Sequence, residues 1–144
     1  MPILNSATKL AMKPLPRALS PKAHSIADYV TVGAFFASAG WFWRRSKRAA
    51  LAALICGAAE LAVDLLTDYP GGIKRVISFR AHHDIDLGLA AMTATMPEFL
   101  AFKDEGEKKF FLTQGAVITA LAEVTQFPEK PQRAERGSRH RKAA

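Results

Sequence analysis

The feature that most limits what this chain can become is an internal repeat at a constant offset of 58 residues. His24 and Asp28 recur as His82 and Asp86, Gly57 as Gly115, Thr67 as Thr125 and Pro70 as Pro128. No gap is needed to align Arg17–His24 with Arg75–His82, or Thr67-Asp-Tyr-Pro70 with Thr125-Gln-Phe-Pro128. Identities are sparse, but they fall on residue types that drift seldom restores together, which marks a tandem duplication. Each copy is too short to bury much apolar surface alone, so the two are expected to share one core.

Within each copy the hydrophobic pattern predicts two helices joined as a hairpin. The first covers about residues 23–43 and has no charge from Tyr29 to Trp43. The second, about 49–66, is interrupted only by Glu60 and Asp64 and is expected to end near Asp68, ahead of Pro70-Gly71-Gly72. The third covers about 81–102, with Pro97-Glu98 inside it, and the fourth about 108–127. Gly57, Gly115 and Gly33, with Ala53, Ala116 and Ala37 nearby, read as points of close helix packing. The resulting division is a flexible basic N-terminal arm (1–22), a first hairpin (23–70), a second hairpin (71–128) and a basic, disordered C-terminal tail (129–144). Pro14 and Pro16 break the only apolar run that a cleavable signal would need, so the arm reads as retained.

Polarity decides the expected environment. The second helix is apolar almost all the way round, leaving only a thin stripe of Ala53, Gly57, Glu60 and Asp64. Membrane helices face one another through such a stripe, whereas a soluble bundle helix carries a broad charged face. Trp41 and Trp43 followed by Arg44 and Arg45 suit a membrane interface. The fold class expected is therefore all-α: a four-helix transmembrane bundle of two parallel hairpins, related by a pseudo-twofold axis along the membrane normal.

Thirteen Lys and Arg fall on the side of the N-terminal arm, the 69–80 loop and the tail, against seven on the other. On the positive-inside rule both termini face the cytoplasm, which points to a multi-pass protein of a bacterial inner membrane. The net charge of +7 favours anionic lipid headgroups as partners of the basic tails. No nucleic-acid partner is expected, and a homo-oligomer is compatible with the pattern. The single cysteine, Cys56, excludes an internal disulfide and a cysteine-based metal site.

Two sets of polar residues are candidates for function. His24 and Asp28, like His82 and Asp86, are four apart and share one helix face. If the pseudo-twofold axis brings the first and third helices together, all four side chains meet at one depth. They would then lock hairpin register by hydrogen bonding, ligate a divalent metal, or pass protons. Glu60 and Asp64, also four apart, correspond to Ile118 and Ala122 in the other copy, so whatever they do is done once. As intramembrane acids they are candidates in their own right. Gly71-Gly72 lacks the lysine of a phosphate loop, and no nucleophile triad is visible, so no catalytic residue and no organic cofactor is assigned.

The segment Arg80-Ala-His82-His-Asp-Ile-Asp86-Leu-Gly88, running on to Met96-Pro97-Glu98 and Phe102, resembles the SPW-repeat family of small bacterial and archaeal membrane proteins. The resemblance spans about residues 17–128 and implies two helical hairpins. At the Ser-Pro-Trp signature this chain has Met96-Pro97-Glu98 in one copy and Ser38-Ala39-Gly40 before Trp41 in the other. The family implies topology and no known reaction. Three functional expectations follow: a non-enzymatic membrane protein in which the His/Asp pairs join the repeats; a membrane protein that moves or senses protons or a cation; and a soluble metal-binding bundle.

Overall fold

The computed structural model describes residues 16–127. Four helices follow in order, α1 (Pro21–Phe42), α2 (Lys47–Leu66), α3 (Phe79–Phe99) and α4 (Lys108–Val124), and no strand forms among the described residues. The arm and tail read from the sequence lie largely outside this range. Residues 16–22 are structured: Leu19 pairs with Thr125, and α1 already begins at Pro21.

Serine starts three of the helices. The hydroxyls of Ser20, Ser46 and Ser78 accept the N–H groups of Ala23, Ala49 and Ala81, each at 3.2 Å, capping donors that a helix N-terminus leaves unpaired. Pro21 follows its cap at the one position where a missing N–H costs nothing. The second helix ends at Leu66, earlier than its proline suggests. Thr67 is already extended and pairs with Ile77, which ends the helix before Pro70 can. α3 accommodates Pro97 in its final turns and stops at Phe99 rather than Phe102, where Ala101 takes a left-handed φ of 56°.

α1 packs along α2, and α3 along α4; each hairpin then contacts the other through α2 against α3 and α1 against α4. α1 and α3 therefore face each other diagonally. A Cβ added to Gly57 would come 2.9 Å from Phe35 Cβ, and one at Gly115 would come 2.9 Å from the Ala90 carbonyl. Both glycines are close-packing points, as their repetition suggests. Gly33 is not: nothing lies within 4 Å of its would-be Cβ, because it faces away from α2 and the rest of the bundle.

The two ends of the bundle differ in kind. At the end carrying the α1–α2 and α3–α4 loops, Phe35, Phe42, Phe102, Phe110 and Phe111 interlock through edge-to-face contacts. There Arg45 pairs with Glu107 at 3.1 Å, and the Arg48 guanidinium donates to the Ala101 carbonyl at 2.9 Å. At the opposite end the hairpins are tied by two isolated parallel bridges, Leu19 with Thr125 and Thr67 with Ile77. Leu19 N–H donates to Val124 and Gln126 N–H to Leu19; at positions 58 residues apart, Ile77 N–H donates to Leu66 and Asp68 N–H to Ile77. Each hairpin thus holds the end of the other.

Among the described residues one helix, α2, is long and apolar enough by itself to cross a membrane. The other three fall short of that measure, against the expectation of four membrane-spanning helices. α1 and α3 carry the histidines and aspartates in their first turns, and α4 is only 17 residues long.

Candidate metal centre

Beneath the paired ends, four side chains from α1 and α3 meet on the axis of the bundle. His24, Asp28, His82 and Asp86 are all buried, none more than 4 % exposed. The Nε2 atoms of the two histidines stand 3.3 Å apart. Asp86 Oδ2 lies 3.2 Å from each of them, and Asp28 Oδ2 lies 3.3 Å from His24 Nε2 and 3.4 Å from His82 Nε2. The four-residue spacing puts each His and its Asp on one face of its own helix, and the diagonal placement of the helices brings the two faces together.

The far nitrogens of both rings are committed elsewhere. His24 Nδ1 is 2.7 Å from Thr125 Oγ1, and His82 Nδ1 is 2.9 Å from Thr67 Oγ1. Each threonine hydroxyl already donates its single proton to a carbonyl one turn back, Thr125 to Leu121 and Thr67 to Val63. The hydroxyl oxygens can therefore only accept, so both Nδ1 atoms carry the ring proton. In the neutral rings this leaves two Nε2 lone pairs aimed at one another and at two carboxylate oxygens.

Such a group requires positive charge. Among the described residues, the buried ones include Asp28, Asp86, Glu60 and Asp64 but no lysine or arginine. Four carboxylates taken out of water with no fixed cation among them must be compensated by protons or by a bound ion. Two donor sets have the compactness that a metal requires: His24, His82 and Asp86, and Asp28, Asp64 and His82, with the ligand atoms of each set within 4.8 Å of one another. Separations of 3.2–3.4 Å match the spacing of neighbouring donors held by one ion at about 2.0 Å, the range of zinc–nitrogen and zinc–oxygen bonds.

Glu60 and Asp64 line the same interior from α2, 3 % and 1 % exposed. They face inward with Ala53 and Gly57, as the sequence stripe requires. Asp64 Oδ2 has no hydrogen-bond partner among the described residues. Glu98, by contrast, is exposed and sits beside Lys103.

Three aromatic rings close the centre from the terminal side, and sequence reasoning missed them along with the threonines. Phe79 stacks on His82 at 6.1 Å and meets His24 edge-on at 5.6 Å. Tyr69 lies 5.1 Å from the His82 ring, and its hydroxyl donates to Asp28 Oδ2 at 3.2 Å. Burial, reinforced by the Asp28 and Asp64 carboxylates, holds the Tyr69 phenol protonated well above the ordinary tyrosine range. Phe127 packs on Phe79 at 5.6 Å. Tyr69 and Phe79 also form one wall of a 410 Å³ surface cavity lined by Pro21, Asp68, Pro70 and Arg75, so a single aromatic layer separates it from the histidines. The signal for the threonines was present in the sequence: Thr67 and Thr125 repeat at the same offset as the histidines, though the repeat reads equally well as turn chemistry. No protein-family model, curated protein or solved structure matches this chain.

Proposed function

We propose that this chain is a small metal-binding protein of the membrane, in which two repeated hairpins enclose a divalent transition-metal ion between His24, His82, Asp86 and Asp28. The observation that carries the reading is the commitment of both Nδ1–H groups to acceptor-only threonines, which turns both Nε2 lone pairs onto one point flanked by two carboxylates. Imidazole with carboxylate is a donor set for zinc, iron, nickel or copper rather than for magnesium or calcium. The threonines supply the outer hydrogen bonds that fix ring orientation and tautomer in metal–histidine sites.

The membrane setting is supported by which side chains face outward. Ile26, Val30, Phe36, Trp41, Trp43, Leu51, Leu54 and Ile55 are exposed, while every acid in the middle of a helix of the first hairpin points inward. Such an inside-out distribution suits a hydrocarbon environment. It also accounts for the lower apolarity of α1, whose His24, Ser25, Asp28 and Thr31 are buried in the bundle; in α3 His82, Asp86 and Thr93 are buried, while Asp84 and Glu98 are exposed. The tandem duplication is supported by the matching caps, bridges and His–Thr bonds at equivalent positions of the two hairpins.

Metal analysis of the full chain, purified without chelator, tests the centre. Wild type is expected to retain a transition metal in stoichiometric amount, and His24→Ala and His82→Ala each to lose it. A wild type that holds no metal after incubation with zinc, iron(II), nickel or copper would overturn the reading. Recovery of the expressed chain in the soluble fraction without detergent would remove the membrane setting and leave the centre standing.

A further inference from the structure

At the 58-residue offset the two flanks of the centre are not equivalent. Glu60, Asp64 and Tyr69 stand where the other hairpin has Ile118, Ala122 and Phe127, and all three differences add oxygen donors. Asp64 and Tyr69 both lie beside Asp28, and Glu60 is buried one turn away from Asp64 on α2. Tyr69 donates to Asp28 and lies near enough to Asp64 for that carboxylate to help hold its phenol protonated. Asp28, Asp64 and His82 form a donor set of their own. Asp64, one turn from Glu60 on the same face of α2, is 1 % exposed, and its Oδ2 has no partner among the described residues. On the opposite flank Ile118 and Ala122 are equally buried and need none.

We infer that this flank is a second cation subsite, beside the histidine centre and built from oxygen: Asp64 as its own ligand, Asp28 as a carboxylate bridging the two ions, and Glu60 as the further anionic donor. The charge supports a second ion. One divalent ion balances Asp28 and Asp86, which leaves Glu60 and Asp64 buried with no lysine or arginine among the described residues to match them. The chemistry differs from that of the first position. Carboxylate and phenol oxygens suit a harder ion, of the manganese or magnesium class, whereas the imidazoles suit a zinc-like one. Carboxylate-bridged pairs of ions in proteins stand about 3.5–4 Å apart, a span compatible with donor atoms grouped within 4.8 Å. This inference rests on the metal reading of the histidine centre.

The test is metal stoichiometry on the full chain in detergent, stripped with chelator and then dialysed against Zn²⁺ and Mn²⁺ together. Asp64→Ala is the informative variant, because alanine is what the equivalent buried position already accommodates; Glu60→Ile follows the same logic and guards against a fault peculiar to one variant. Wild type is expected to hold two ions, one of each kind, and both variants to hold the zinc alone. Wild type with a single ion, and variants that keep it, overturn the second subsite while the histidine centre survives. Loss of both ions on Asp64→Ala, with the variant still folded by circular dichroism, also overturns it, since Asp64 is then part of one indivisible centre. A wild type that holds no ion overturns both readings.

Discussion

His24 and His82 face each other through Nε2 at 3.3 Å while each turns its Nδ1 to a threonine of the opposite hairpin, His24 to Thr125 and His82 to Thr67. The threonines touch no proposed ligand atom directly, yet they set which nitrogen is free. Thr67→Val and Thr125→Val keep shape and remove the acceptor, so each is expected to weaken metal affinity by about 10–100-fold without abolishing binding. Competition against a chelator of known affinity reads this out; unchanged affinity in both variants would show that the ring tautomer is set by something else.

The glycines separate two kinds of helix position. Gly115→Ala drives a methyl toward the Ala90 backbone carbonyl, and Gly57→Ala drives one toward Phe35 Cβ, where backbone and branch points cannot yield cheaply. Each is expected to cost about 1–3 kcal/mol, as overpacking does. Gly33→Ala and Gly88→Ala meet nothing within 4 Å and are expected to stabilise by about 0.5–1 kcal/mol through helix propensity. Thermal unfolding of the four variants decides; equal effects would contradict the packing described.

Asp64 gives a prediction that changes sign with conditions. In chelator-treated protein its buried, unpartnered Oδ2 is a burden, and Asp64→Ala is expected to raise stability by about 1–3 kcal/mol. With Mn²⁺ in excess the wild type gains binding free energy that the variant does not, so the difference shrinks or reverses. An Asp64→Ala protein less stable than wild type under both conditions would assign Asp64 an apo-state partner that the structure does not contain.

Tyr69 predicts an alkaline signature. Its pKa is raised in the folded state, first by burial and then by Asp28 and Asp64, so folding favours the protonated phenol. The stability it contributes is fully present below the unfolded tyrosine pKa of about 10 and is lost as pH climbs beyond it, because the unfolded chain then releases a proton that the folded one keeps. Tyr69→Phe is expected to be less stable than wild type by about 0.5–1.5 kcal/mol at neutral pH, through loss of the bond to Asp28. The gap should close above pH 10; parallel pH profiles would count against the assignment.

Much of the architecture could be read from the chain because hydrophobic periodicity and the residues that recur 58 positions apart constrain it. Four helices, the hairpin pairing of α1 with α2 and α3 with α4, the inward stripe of α2 and the close approaches at Gly57 and Gly115 all follow from periodicity and from residues that recur at 58. The helix ends were less legible. Thr67 leaves the helix to form a bridge with Ile77, a partner ten residues away that no local pattern announces. Ser20 and Ser78 carry the signal for starts at Pro21 and Phe79, two residues ahead of those expected, but a serine near a proline is ambiguous without its N–H partner. In the centre, the spacing of His and Asp was enough to put each pair on one face. The crossing of the bonds between hairpins, each histidine reaching the other hairpin's threonine, depends on how the ends of the bundle are tied and has no counterpart in linear spacing.

The mutual bridging of the hairpin ends has one last implication. Because Leu19 and Ile77 each reach into the other half, and each half brings one histidine, one aspartate and one threonine, a single hairpin clasping its own twin would already assemble the entire cradle of the proposed metal. Joining the halves in one chain is therefore not what creates the cradle. It is what allows the halves to differ: a hairpin paired with an identical copy would place an acid on both sides or on neither, whereas this chain carries Glu60, Asp64 and Tyr69 on one side alone.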